Sequence, residues 1–134
     1  MSFGILVDFR ALGDLAALNS SQGKVFYAAA SGDYLNNFQK NRLSGDLNGD
    51  GFNDLIFSSP FASPQGRSTA GEVYIVFGGS TWSFPFDLAF LNATQGVIIQ
   101  GASANDNLGV SISIVSDMNG DSKLDLLLGS IYAS

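Results

Sequence analysis

Six of the chain's twelve acidic residues fall in two nine-residue stretches with the same spacing. The first, Asp46-Leu47-Asn48-Gly49-Asp50-Gly51-Phe52-Asn53-Asp54, carries side-chain oxygens at positions 1, 3, 5 and 9, with Gly51 where the backbone must turn sharply. The second, Asp117-Met118-Asn119-Gly120-Asp121-Ser122-Lys123-Leu124-Asp125, repeats the pattern D-x-N-x-D-x-x-x-D. Alternating oxygen donors on a tight loop suit a hard cation. Calcium takes six to eight oxygens at roughly 2.3–2.6 Å, and one backbone carbonyl, here that of Phe52 at position 7, joins the side chains. Three carboxylates in nine residues repel one another unless a cation neutralises them. Solvated Asp/Asn/Gly turns are the duller reading, and the duplication weighs against it.

Other chemistry is thinly supplied. There is no cysteine and no histidine, which removes thiolate and imidazole ligation, disulfides and histidine acid–base catalysis. Asp33 and Asp106 recur in register between the two halves and could support a loop, form a turn or, least of all, act as catalytic acids. The chain is therefore expected not to be an enzyme. An EF-hand loop begins in the same way but needs a carboxylate at position 12 and a following helix; position 12 is Phe57 in one loop and Leu128 in the other.

A net charge of −6 argues against nucleic-acid binding, and no run approaches the ~18 apolar residues of a membrane span. The N-terminus lacks the basic and apolar regions of a secretory signal. With 46% hydrophobic and 13% charged residues, the 134-residue chain is built to bury one domain's core.

The elements that would hold the loops repeat with them. Phe3-Gly4 aligns with Phe77-Gly78, Gln22-Gly23 with Gln95-Gly96, Asp33 with Asp106 and Asp46 with Asp117, the offset drifting from 74 to 71 residues. The chain thus reads as one domain, 1–134, of two copies: about 3–76, and about 77–134 without its last strand. Short β-prone runs separated by turn clusters predict antiparallel strands. They fall at Lys24–Ala30, Phe38–Leu43, Asp54–Ser58, Glu72–Phe77, Val97–Gly101, Val110–Val115 and Leu124–Gly129, with short helical turns at Arg10–Leu18 and Asp87–Leu91. The sequons at Asn19 and Asn92 are read as turn formers ahead of Gly23 and Gly96. Trp82, Phe84, Phe86 and Phe90 are expected in the core or at a contact between subunits, and Arg10, Lys40, Arg42 and Arg67 on the solvated surface.

A strand, the D-x-N-x-D-G-x-x-D loop, an apolar strand, a long turn and Gly71-Glu72-Val73-Tyr74-Ile75-Val76-Phe77-Gly78 together resemble the FG-GAP repeat of integrin α-subunit β-propellers and their bacterial relatives. Leu108-Gly109 stands where that family has its Phe-Gly signature. The resemblance implies an all-β fold of two antiparallel blade-like repeats with a calcium ion in each. Asp46, Asn48, Asp50, the Phe52 carbonyl and Asp54 would hold one ion; Asp117, Asn119, Asp121, the Lys123 carbonyl and Asp125 would hold the other. Ser122 replaces Gly51 at the turn, so the second site is expected to be weaker.

Propellers close with roughly four to eight blades, so two repeats would need further blades or other subunits. The leading expectation is a calcium-stabilised module for extracellular protein–protein interaction or adhesion. A subunit that self-assembles into a filament or sheath is the alternative, followed by an accessory module of a secreted hydrolase. The expected partners are proteins or copies of the chain itself, with no nucleic acid and no membrane insertion.

Overall fold

The computed structural model describes residues 3–7, 23–30, 32–35, 43–79 and 86–133. Among these it is all-β, with nine strands, two short 3₁₀ turns and no α-helix. The strands are β1 (Phe3–Val7), β2 (Gly23–Tyr27), β3 (Ser44–Gly45), β4 (Asp54–Ser59), β5 (Glu72–Val76), β6 (Phe86–Asp87), β7 (Gly96–Gln100), β8 (Ser111–Val115) and β9 (Asp125–Gly129).

Three open sheets result, ordered β1-β2-β6, β3-β4-β5-β7 and β8-β9. The central one is a complete antiparallel meander of four strands, the arrangement of a propeller blade. It takes β7 from the stretch that the sequence alignment assigns to the second copy, so the folded sheet is out of phase with the repeat. One pairing departs from the expected antiparallel pattern: β6 lies parallel to β2 through Phe26↔Phe86 and Tyr27↔Asp87. Parallel neighbours need a long crossover connection, and here the whole β3-β4-β5 segment supplies it.

Alternation along β4 and β5 sends side chains to both faces of the central sheet. Leu55, Phe57, Tyr74 and Val76 join Phe26, Ala28, Leu35 and Leu88 on one face. Ile56 and Val73 join Leu43 and Ile112 on the other. The central sheet is thus covered by β2 on one side and by the β8–β9 hairpin on the other. Phe26 anchors the first face, its ring 5.1 Å from Phe57 and 6.4 Å from Phe86. On the second face Gly109 takes φ +92, and a Cβ there would lie 2.9 Å from Val73 Cγ2 and 3.0 Å from Ser58 Cβ. Glycine at that place lets the second hairpin close on the central sheet.

The helical turn expected at Asp87–Leu91 is a 3₁₀ turn over Leu88–Phe90, capped by Asp87, whose carboxylate accepts from Ala89 N at 2.9 Å. The Asn92 turn also forms, with Asn92 Oδ1 accepting from Thr94 N and Oγ1. Of the two places expected for Phe90, the core is excluded: it is 75% exposed, on the outer side of the turn that buries Leu88. One surface expectation needs correction. Arg67 is not a free surface cation: its guanidinium donates to Gly101 O, Gln65 Oε1 and Gln100 Oε1, tying the long β4–β5 connection to the end of β7. The segment Arg10–Leu18 and residues 38–42, Asn19, Trp82 and Phe84 lie outside the described residues.

Candidate functional site

The first acidic loop joins β3 to β4. Asp46 Oδ1 accepts from Gly49 N and Asp50 N, and its Oδ2 from Gly51 N. Asn48 Oδ1 accepts from Asp50 N, Asp50 Oδ1 from Phe52 N, and Asn48 Nδ2 donates to Asp50 Oδ2. These are short-range side-chain-to-backbone bonds of the kind that Asp and Asn offer a turning chain. Asp54 is different. It is fully buried, and its two oxygens accept from Leu47 N (2.8 Å) and from Gly78 N beyond β5 (2.9 Å).

The second loop, between β8 and β9, repeats the bonds that the first makes within itself. Asp117 accepts from Gly120, Asp121 and Ser122 N; Asn119 from Asp121 N; Asp121 from Lys123 N; and Asp125 Oδ2 from Met118 N. These N–H groups, Ser122 N foremost, hold the Asp117 carboxyl below the ordinary carboxylate value. Two differences set the copies apart. Gly51 has φ +90 and Ser122 φ +66, so the serine occupies the left-handed turn that glycine takes without strain. Asp54 is also clamped by Gly78, whereas the second loop has no counterpart of that bond among the described residues.

The loops meet. Lys123 Nζ donates to Asn48 O at 2.9 Å, and an open cleft of about 370 Å³ between the loops is bordered by Asp46, Gly49, Asp117, Ser122 and Lys123. The sequence singled out Lys123 only for its carbonyl; a side chain crossing to the other loop carries no local spacing signal.

Among the described residues, no three Asp, Glu, His or Cys side chains gather as a cluster able to hold a metal. The carboxylates face their own loop's N–H groups instead, and Asp54 and Asp125 are drawn back to the strand ends. The donor chemistry nevertheless fits a hard cation, being wholly oxygen. A carboxylate offers about four lone-pair sites, and Asp50 spends one bond on each oxygen.

Asp33 and Asp106 are turn formers: each accepts from the N–H three residues earlier, Ala30 and Ser103, at 2.8 Å. The sequence did not disclose a buried polar group on β5 and β7. There Tyr74 OH donates to Glu72 Oε2 and Gln100 Nε2 donates to Glu72 Oε1. Burial and then the bond to Glu72 raise the Tyr74 hydroxyl far above the ordinary tyrosine value.

A family profile described as FG-GAP repeat matches residues 43–76, the span from the start of β3 to the end of β5. This segment is an FG-GAP repeat. It holds the first acidic loop and three of the four strands of the central sheet. Relatives extend the likeness over more of the chain. Phosphatidylinositol-glycan-specific phospholipase D of Bos taurus is 30% identical over 118 residues, 84% of this chain and 14% of its own length. Integrin alpha-PS2 of Drosophila melanogaster is 32% identical over 90 residues, 67% of this chain and 6% of its own length. The chain therefore spans a small part of these relatives. No solved structure matches it. Among the described residues, no helix is long and apolar enough to cross a membrane.

Proposed function

We propose that the chain is a non-enzymatic, calcium-stabilised FG-GAP-type module for protein–protein interaction or adhesion outside the cell. The observation that carries this reading is the duplicated loop, in which the same all-oxygen residues are fixed by the same bonds at the same end of two adjacent hairpins. Asp46, Asn48, Asp50, the Phe52 carbonyl and Asp54 would hold one ion, and Asp117, Asn119, Asp121, the Lys123 carbonyl and Asp125 the other. The ion would supply no reaction chemistry; it would neutralise the carboxylates and tie each loop to its strands. Metal affinity then becomes folding stability by linkage, about 2.7 kcal/mol at a hundredfold excess over Kd. The millimolar sites of extracellular modules suit such a use. The test is thermal unfolding in excess calcium, in magnesium and in chelator. A midpoint that rises with calcium alone supports the reading; identical midpoints in all three would sink it.

A second reading, an accessory module of a secreted hydrolase, is favoured by the relatives named phospholipase D, of which this chain spans 14% or less. It expects the natural gene product to carry catalytic residues outside this segment, which sequencing the full transcript would decide.

A further inference from the structure

The sequence holds two Asn-Gly pairs, Asn48-Gly49 and Asn119-Gly120, and they stand at the same place in the two acidic loops. At such a pair the glycine nitrogen can attack the preceding side-chain amide, because glycine carries no Cβ to block the approach. Both loops set groups around that reaction. The nucleophile, Gly120 N, donates its hydrogen to Asp117 Oδ1 at 2.6 Å, and Gly49 N donates to Asp46 Oδ1 at 2.7 Å. The electrophile is the asparagine amide carbon, whose Oδ1 accepts from the N–H two residues on, Asp121 N or Asp50 N, at 2.9 Å in each loop. That bond closes a ring containing both the amide carbon and the glycine nitrogen. The leaving group, asparagine Nδ2, donates to the carboxylate of Asp121 at 3.2 Å or of Asp50 at 2.9 Å.

We propose that Asn119, and more slowly Asn48, are self-modifying positions, at which the loop converts its own asparagine to aspartate and isoaspartate. Asp117 Oδ1 takes the Gly120 N–H proton as the N–Cγ bond forms, and the Asp121 N–H holds the oxygen on which negative charge develops. The Cγ–Nδ2 bond then breaks, and the proton leaves with that nitrogen as ammonia. Water opens the resulting cyclic imide at either carbonyl, which gives aspartate or isoaspartate. Both products loosen the loop. Aspartate at this place sets a carboxylate oxygen against Asp121 Oδ2, where a donor nitrogen stood, and like charges so close repel. Isoaspartate routes the main chain through the side chain and lengthens the loop by one carbon.

The order follows from what holds each loop. Asn119 and Gly120 are exposed, whereas Asn48 is half-buried. Imide formation turns the peptide plane between asparagine and glycine, and in the first loop that plane is pinned. Lys123 Nζ donates to Asn48 O at 2.9 Å, and its side chain lies over Gly49, where a Cβ would be 3.2 Å from Lys123 Cε. Asn119 O has no such side-chain donor among the described residues. The chemistry needs only water, so it is independent of calcium and of where the protein acts.

The test is incubation of the whole chain in chelator at fixed pH and temperature, with peptide mass mapping of both sites and isoaspartate detected by enzymatic methylation. The urea-unfolded chain is the comparison, since there both Asn-Gly pairs lose their loop partners. In the folded protein Asn119 is expected to be lost before Asn48, and faster than in the unfolded chain by about tenfold or more. Asp117→Asn keeps an oxygen for Gly120 N but removes the base, and should slow the loss at Asn119 to the unfolded rate. Lys123→Met should speed the loss at Asn48 by about fivefold and leave Asn119 unchanged. Loss at Asn119 no faster folded than unfolded, a rate that Asp117→Asn leaves intact or raises, loss at Asn48 ahead of Asn119, or no gain at Asn48 in Lys123→Met would each overturn the proposal.

Discussion

Lys123 of the second acidic loop donates its ammonium to the backbone carbonyl of Asn48 in the first, at 2.9 Å, across 75 residues of sequence. The second loop therefore places a positive charge against the first. A positive charge held against the first loop competes with any cation bound there, by about 1 kcal/mol at 4 Å in water and somewhat more near protein. Lys123→Met is expected to raise the first loop's calcium affinity by about fivefold or more, measured by titration calorimetry. Unchanged or weaker binding would show that the lysine does not act on that loop.

Asp54 is the buried anchor of its loop and Asp125 its half-buried copy. Truncating Asp54 to alanine strands the N–H groups of Leu47 and Gly78, a cost of about 2–4 kcal/mol. Asp125→Ala strands Met118 N at an exposed place and should cost less than half as much. Urea midpoints of the two variants in chelator should separate in that order.

Ser122 holds φ +66 where Gly51 holds φ +90. Relieving a side chain from the left-handed region is worth about 1 kcal/mol, so Ser122→Gly should raise the thermal midpoint by a few degrees and tighten the second calcium site. The exchange in the other direction, Gly51→Ser, should lower both at the first. Calorimetry on the pair checks the sign.

Burial pushes the Asp33 carboxyl above its ordinary 3.8; the Ala30 N–H bond pulls it down, and the Glu72 charge adds a further upward push. An acid raised in the folded state favours the fold while protonated. That contribution is complete below 3.8 and is lost as pH rises through the folded value. Asp33→Asn keeps an oxygen for Ala30 N and removes the charge. It should therefore be more stable than the wild type at neutral pH, with the difference closing in acid, as urea midpoints at both pH values would reveal.

Much of this architecture is legible in local spacing. Runs such as Asp54–Ser58 and Glu72–Phe77 are short, continuous apolar stretches bounded by turn residues and became β4 and β5, because a strand buried on both faces carries apolar residues without alternation. The loop bonds are equally local, since each Asp or Asn reaches an N–H two to seven residues away, the bond from Gly78 N to Asp54 excepted. What spacing could not disclose is long-range. The phase of the central sheet depends on β5 choosing β7, and the parallel β2–β6 pair depends on a crossover of nearly sixty residues. The reach of Lys123 to Asn48 and of Arg67 to Gly101 likewise links segments that no window joins. Spacing also left open which of Leu88 and Phe90, two residues apart on a 3₁₀ turn, would be buried; the turn buries Leu88 and exposes Phe90.

Phe77-Gly78 is no seam, although the written motif restarts there: β5 ends at Val76 and β7 returns to lie along it. The unit that would be copied in a gene and the unit that coheres as a sheet are staggered by one strand. Every added copy must lend its leading strand to the copy before it, so neighbours are interlocked like links rather than stacked like coins. A graft cut between Gln100 and Ser111 would transplant an intact sheet, whereas one cut at the motif's own beginning would leave two torn ones.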